Sequence, residues 1–184
     1  MKTIFTILTL ISFNLGYTQV IIGDAVGTAT NKTSVLLEFA AGQNKGIILP
    51  YVRTIPTTTI NPAALVEGTL LLDVSNPTQA RVKLYDGTAW KDLSCGNDGN
   101  VTTVLTSQPN IPELPNSKAI IGASSSSADG VLVLESSTKA MVLPMVLDTN
   151  NIPEPAPGMM VYINKPGAKR LAVYNGNSWT YWKP

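Results

Sequence analysis

One short pattern occurs twice in this chain, and that repeat limits what the chain can fold into. Leu84-Tyr85-Asp86-Gly87-Thr88-Ala89-Trp90 returns as Val173-Tyr174-Asn175-Gly176-Asn177-Ser178-Trp179. Asp-Gly and Asn-Gly between alternating apolar residues signal a tight hairpin, with both central residues expected at positive φ. Three further blocks recur in the same order. Ile21-Ile22-Gly23 matches Ile120-Ile121-Gly122, Lys45 to Pro50 matches Lys139 to Pro144, and Gly68 to Leu72 matches Gly158 to Tyr162. Ordered recurrence of this kind means internal duplication. The expected fold is all-β, two tandem copies of a small antiparallel β module joined by a Gly/Asn/Pro-rich linker. The expected boundaries are a signal peptide at 1–18, module 1 at 19–94, the linker at 95–118 and module 2 at 119–184.

Alternation along each hairpin assigns its faces whatever the loop length, because loops of two and four residues leave the same parity. Val82, Leu84, Ala89 and Leu93 form one face, answered by Leu171, Val173, Ser178 and Trp182, and this face is expected inside. The other carries Arg81, Lys83, Tyr85, Trp90 and Asp92, answered by Arg170, Ala172, Tyr174, Trp179 and Tyr181. A two-residue loop sets Lys83 opposite Trp90, a cation–π pair of about 0.5–1 kcal/mol, and Arg81 opposite Asp92. A four-residue loop sets Tyr85 opposite Trp90 instead. From this face Lys83, Tyr85, Trp90, Tyr174, Trp179 and Tyr181 are the candidate interaction residues. Tyr and Trp offer flat apolar faces with polar tips, suited to a sugar or polymer platform, but they also cover hairpin edges for packing reasons alone.

Elsewhere the pattern predicts strands at Val20 to Gly23, Val35 to Phe39 and Lys45 to Val52, with pairing loosened around Pro50. Asn61 followed by Pro62 suits the start of one helical turn. Thr149 to Pro157, with three prolines, is expected to be non-helical, and Val101 to Leu105 could pair as a stray strand. Glu38 and Glu135 read as matched strand positions, each a structural partner for the Lys45 or Lys139 that follows.

Lys2, the apolar run Thr3 to Phe13 and the small residues Gly16 and Thr18 have the form of a secretory leader, with cleavage expected before Gln19. That run is too short to span a bilayer, which needs about 20 apolar residues. No transmembrane segment is expected in the mature chain, and localisation is expected to be exported, at the cell surface, outer-membrane-associated or extracellular. Loss of Lys2 takes the formal charge from +1 to about zero. A neutral surface argues against nucleic acid, which needs a basic stripe. Charged residues make up 14%, below the usual quarter, which fits a turn-rich exported β protein and weakens one barrier to self-association. Cys95 is the only cysteine, so no intrachain disulfide forms, and an inert packed thiol is favoured over a reactive one or an interchain bridge.

The chain has no His, which removes Ser-His-Asp, Cys-His and imidazole-metal chemistry. Its acidic residues are scattered rather than paired as a glycosidase requires. Gly96-Asn97-Asp98-Gly99-Asn100 holds calcium-friendly oxygens without the spacing of a calcium loop. No catalytic residue, cofactor or metal is assigned, and the chain is expected not to be an enzyme.

Taken together, Gln19 to Gly23, Lys45 to Pro50, Gly68 to Leu72 and Tyr85 to Trp90, with Ala119 to Gly122, Lys139 to Pro144, Pro157 to Tyr162 and Tyr174 to Trp179, resemble exported repeat proteins of Bacteroidota, of flavobacterial type. Those chains carry Lys-Gly-apolar-Leu-Pro and Tyr-Asn-Gly-x-x-Trp motifs and look like modules of phage-tail or fibre proteins. The resemblance implies elongated, often trimeric surface assemblies and supplies no site residues. Such relatives commonly place Arg after Leu-Pro, where this chain has Tyr51 and Met145. No appended C-terminal sorting domain of the type IX kind is expected after the last strand. The expected function is a non-catalytic structural or interaction protein of the cell envelope, partnered by itself or by an outer-membrane or surface assembly. The alternative is a carbohydrate-binding or adhesive module using the aromatic hairpin faces.

Overall fold

The structure, a computed structural model, describes residues 19–109 and 117–183; residues 1–18, where the leader is expected, residues 110–116 of the expected linker and residue 184 lie outside the described residues. The first copy runs through β1 (Val20–Ile22), β2 (Val35–Phe39), β3 (Ile47–Ile48), β4 (Tyr51–Val52), β5 (Leu70–Asp73), β6 (Arg81–Tyr85) and β7 (Trp90–Asp92). A short helix, α1 (Thr102–Thr106), follows. The second copy repeats the order as β8 (Ala119–Ile121), β9 (Leu132–Leu134), β10 (Ala140–Met141), β11 (Met145–Val146), β12 (Met159–Ile163), β13 (Arg170–Tyr174) and β14 (Trp179–Trp182). The chain is all-β with the two repeats the sequence predicts. Each copy has an antiparallel meander, β5-β6-β7 or β12-β13-β14, with β4 or β11 parallel on its outer strand.

The repeats interlock. β10 of the second copy lies parallel on β2 of the first, and β3 of the first lies antiparallel on β12 of the second. Pro50 is the cause. It lacks an N–H and bends the run expected as one strand, Lys45 to Val52, into two. β3 goes to the sister copy's meander and β4 to its own.

One core draws Leu49, Leu72, Val82 and Leu93 from the first copy and Met160 and Val173 from the second, with Val101 and Leu105 between them. Val101 to Leu105 is therefore no stray strand. The two apolar residues stand four apart, one helical turn, and both are buried by α1 and its start. A second core joins Val146, Ile152, Met159, Val161, Ile163 and Ala172.

Several local expectations change. Pro62–Ala64 forms a 3₁₀ turn, but Asn61 is left-handed at φ 46° and its side chain makes no cap bond. Thr149–Asn151, expected non-helical, also forms a 3₁₀ turn, because its prolines come only afterwards and Asp148 accepts from Asn150 N at 3.0 Å. The pairing Ile21↔Glu38 and Ile120↔Val133 makes Val133 the counterpart of Glu38, so the two glutamates are not matched. Nor does Glu38 use Lys45. Its buried carboxylate takes Lys32, Gln19 and the Ala29 N–H at 2.8 Å. Burial alone would raise its pKa, and these donors outweigh burial to hold it below the ordinary carboxylate value.

Candidate association surface

The hairpin tips are four-residue loops. Asp86 Oδ1 accepts from Thr88 N at 2.9 Å and Ala89 N at 2.8 Å, and Asn175 Oδ1 accepts from Asn177 N and Ser178 N, both at 3.0 Å. Only the glycine of each pair takes positive φ, 90° at Gly87 and 101° at Gly176, because the Asx side chain itself supplies the turn's acceptor. The expectation of positive φ at both central positions is thereby corrected.

This loop length puts Tyr85 opposite Trp90, so Lys83 faces Asp92 and not the indole. The rings of Tyr85 and Trp90 lie 5.4 Å apart and tilted, and those of Tyr174 and Trp179 lie 5.3 Å apart. Lys83 binds Asp73 at 2.7 Å. Arg81 still reaches Asp92, diagonally at 3.0 Å, while also gripping Asp98 at 2.6 Å. Trp90 is half-buried and donates from Nε1 to Pro56 O at 3.0 Å. Tyr174 and Trp179, expected outside, pack on the second core beside the fully buried Ala172. Tyr181 stays exposed, with the Arg170 guanidinium 4.8 Å over its ring and its hydroxyl 3.0 Å from that of Thr149.

The candidate residues thus form two ring pairs, one ion pair and one exposed tyrosine, rather than one continuous platform. Trp182, expected inside, is exposed at its edge while donating to Leu93 O at 2.8 Å. Cys95 is exposed at φ 51°, so the packed-thiol expectation does not hold.

Asp86 is held down to about pH 2 by the Ala89 and Thr88 N–H groups and by Lys91, from an ordinary value of 3.8. A lowered carboxylate pKa stabilises the fold above the unfolded value, and that contribution is lost as pH falls towards the folded one. Stability should therefore drop between about pH 4 and pH 2. In Asp86→Asn, which copies Asn175, the turn acceptors persist without titration. Acid melts of that variant should lose this part of the slope, starting slightly below the parent at neutral pH because the charge and its pairing with Lys91 are gone.

Residues to which sequence reasoning gave no joining role connect the copies. Asn175 is fully buried at the second hairpin's tip, and its Nδ2 donates to Asn97 O at 2.7 Å. Gly99 lies beneath it, in a bridge to Ala80 with bonds of 2.8 and 3.0 Å, and a Cβ there would strike the Asn175 carbonyl. The segment considered for calcium is thus the seat of the second hairpin, and its carboxylate, Asp98, is neutralised by Arg81. Among the described residues no group of three or more His, Cys, Asp or Glu is placed to hold a metal. Tyr51 donates to Pro157 O at 2.8 Å, and burial pushes its phenol pKa up.

Between the copies runs an apolar trough of about 370 Å³. Leu70 and Leu93 of the first copy line it with their counterparts Met160 and Trp182, and Met141 and Leu143 form part of its wall. Its lining offers almost no polar group to orient a small ligand, so what it can do is receive apolar surface. Among the described residues no helix is long and apolar enough to cross a membrane.

The model of one family, described as the phage tail like trimerisation region, matches residues 25–108 and again 120–184. The first match runs through α1, in keeping with the burial of Val101 and Leu105. No curated protein and no solved structure matches the chain. With both repeats matched over most of its length, this chain belongs to the phage tail-like trimerisation family, as a structural, self-associating, fibre-like β protein.

Proposed function

We propose that the protein is an exported, non-catalytic subunit of a fibre-like assembly on the cell envelope, held together as a trimer of its own chain. The observation that carries this reading is the trimerisation match to both repeats, together with apolar surface that one chain leaves open. Each repeat has only about eighty residues or somewhat fewer, a size at which a core is marginal without disulfides or metal, and association supplies the missing burial. A formal charge near zero does not oppose it. Export and the envelope location rest on the leader-like residues 1–18 and on the flavobacterial resemblance of the motifs.

Sedimentation equilibrium of the chain beginning at Gln19 is expected to give three times the chain mass at tens of micromolar. N-terminal sequencing of protein recovered from the envelope fraction should begin at Gln19 or Val20. A folded monomer at that concentration would remove the assembly reading, and an intact Met1 would remove export.

A further inference from the structure

The two repeats are equivalent in sequence order but not in what covers them. In the first copy Leu36 is 2% exposed and Leu37 is fully buried, because β10 lies along the outer edge of β2. Val142 N donates to Leu37 O at 2.8 Å and Ala140 N to Ser34 O at 2.9 Å. The pairing of β1 with β2 and β8 with β9 makes Val131 and Leu132 the counterparts of Leu36 and Leu37. These are 65% and 48% exposed. Among the described residues β9 pairs with β8 alone, so the edge equivalent to the one β10 fills carries no strand.

The matching donor edge is also present. β3 and β10 are counterparts, yet they bond through opposite sides. Leu49 N donates to Gly158 O at 3.1 Å, which turns the groups of Ile47 and Leu49 towards β12 and those of Gly46 and Ile48 away from it. On β10 the groups that reach β2 are those of Ala140 and Val142, the counterparts of Gly46 and Ile48. The side of β3 that corresponds to the bonded side of β10 is therefore unpaired among the described residues, and Ile48 beside it is 53% exposed. One chain thus presents an empty seat on its second copy and the strand that fits it on its first.

We infer that β9 of one chain receives β3 of a second copy of the same chain, in the parallel register that β10 takes on β2. In this joint Ile48 N donates to Leu132 O, as Val142 N does to Leu37 O, and the exposed Val131, Leu132 and Ile48 are covered. The inference rests on the self-association reading above and names the surface through which it occurs. The joint is head-to-tail, so it repeats until a ring closes. Three chains close one in the trimer.

The other interior joint, β3 on β12, is not reproduced between chains by β10. Gly46 lies so close to β12 that a Cβ would meet Met160 O at 2.9 Å, and its counterpart Ala140 carries that Cβ. This sets β3 on β9 apart as the joint that two copies can share without releasing any pairing inside a chain.

Leu132→Asp disables the seat and leaves the donor; Ile48→Asp disables the donor and leaves the seat. Both positions are exposed, so each chain keeps its fold, and Leu132→Ser with Ile48→Ser repeats the test at lower perturbation. Each variant alone is expected to sediment as a monomer, and a one-to-one mixture as a dimer joined once. A variant that keeps the parent's mass, or a mixture that stays monomeric, overturns the joint while a trimeric parent leaves self-association standing. A monomeric parent overturns both.

Discussion

Gly99→Val is expected to lower stability by roughly 2–5 kcal/mol, adding an overpacking cost to that of a buried polar group left unpaired. The valine Cβ would occupy the position of the Asn175 carbonyl, which is backbone and cannot swing aside. Undocking the hairpin tip would break the Asn175 bond to Asn97 O, in a side chain with no access to water. The Ala80–Gly99 bridge would open with it. Urea melts of the chain beginning at Gln19 measure the loss directly. A change under about 1 kcal/mol would mean that the second hairpin does not depend on this seat.

Leu72→Ala should cost about 2–5 kcal/mol, the range for deleting a buried leucine whose cavity cannot collapse. Leu72 is fully buried in the core shared by both copies, and its backbone N–H donates to Pro50 O at 3.0 Å. Gly158 of the sister copy approaches its side chain so closely that a Cβ would lie 3.3 Å from Leu72 Cβ, so atoms of both repeats hold the space around it. Collapse there would require the two meanders to shift together. Leu84→Ala, at a half-buried neighbour, should cost clearly less in the same melts.

The duplication, the all-β class and most strand positions were legible because they follow from local signals: alternation, Asx-Gly turns and the repeat itself. β2 falls on the predicted span Val35 to Phe39, and the missing N–H of Pro50 predicts loosened pairing around it, though not the division of Lys45 to Val52 into two strands. The interlock was not legible. Nothing in Ile47-Ile48 or Ala140-Met141 says which sheet a two-residue strand will join, since that choice depends on residues more than ninety positions away. The sequence leaves the hairpin register open between Lys83 and Tyr85 because both loop lengths preserve the faces, and the Asx side chain's bonds to two backbone N–H groups settle it at four residues. The faces themselves failed in the second copy. Alternation assumes one wet side, and β13 is packed on both, with Val173 in one core and Ala172 in the other. Val101 and Leu105 carried a readable signal, apolar residues one helical turn apart, that the turn-rich composition around them obscured.

The parting of β3 from β4 at Pro50 also sets an order of events for a chain made from its N-terminus. β4 can join β5 as soon as the first meander emerges, whereas β3 must wait for β12, more than a hundred residues later. Likewise β2 keeps a bare edge until β10 arrives. Contacts so distant along the chain close slowly, because the loop entropy is lost before the contact stabilises anything. The first repeat therefore has no finished state of its own, and the duplication behaves in folding as one cooperative unit whose last steps belong to both halves. During that interval, unpaired apolar strands of this kind are exposed to other chains, and a holding factor or rapid delivery of the C-terminal half would shorten their exposure.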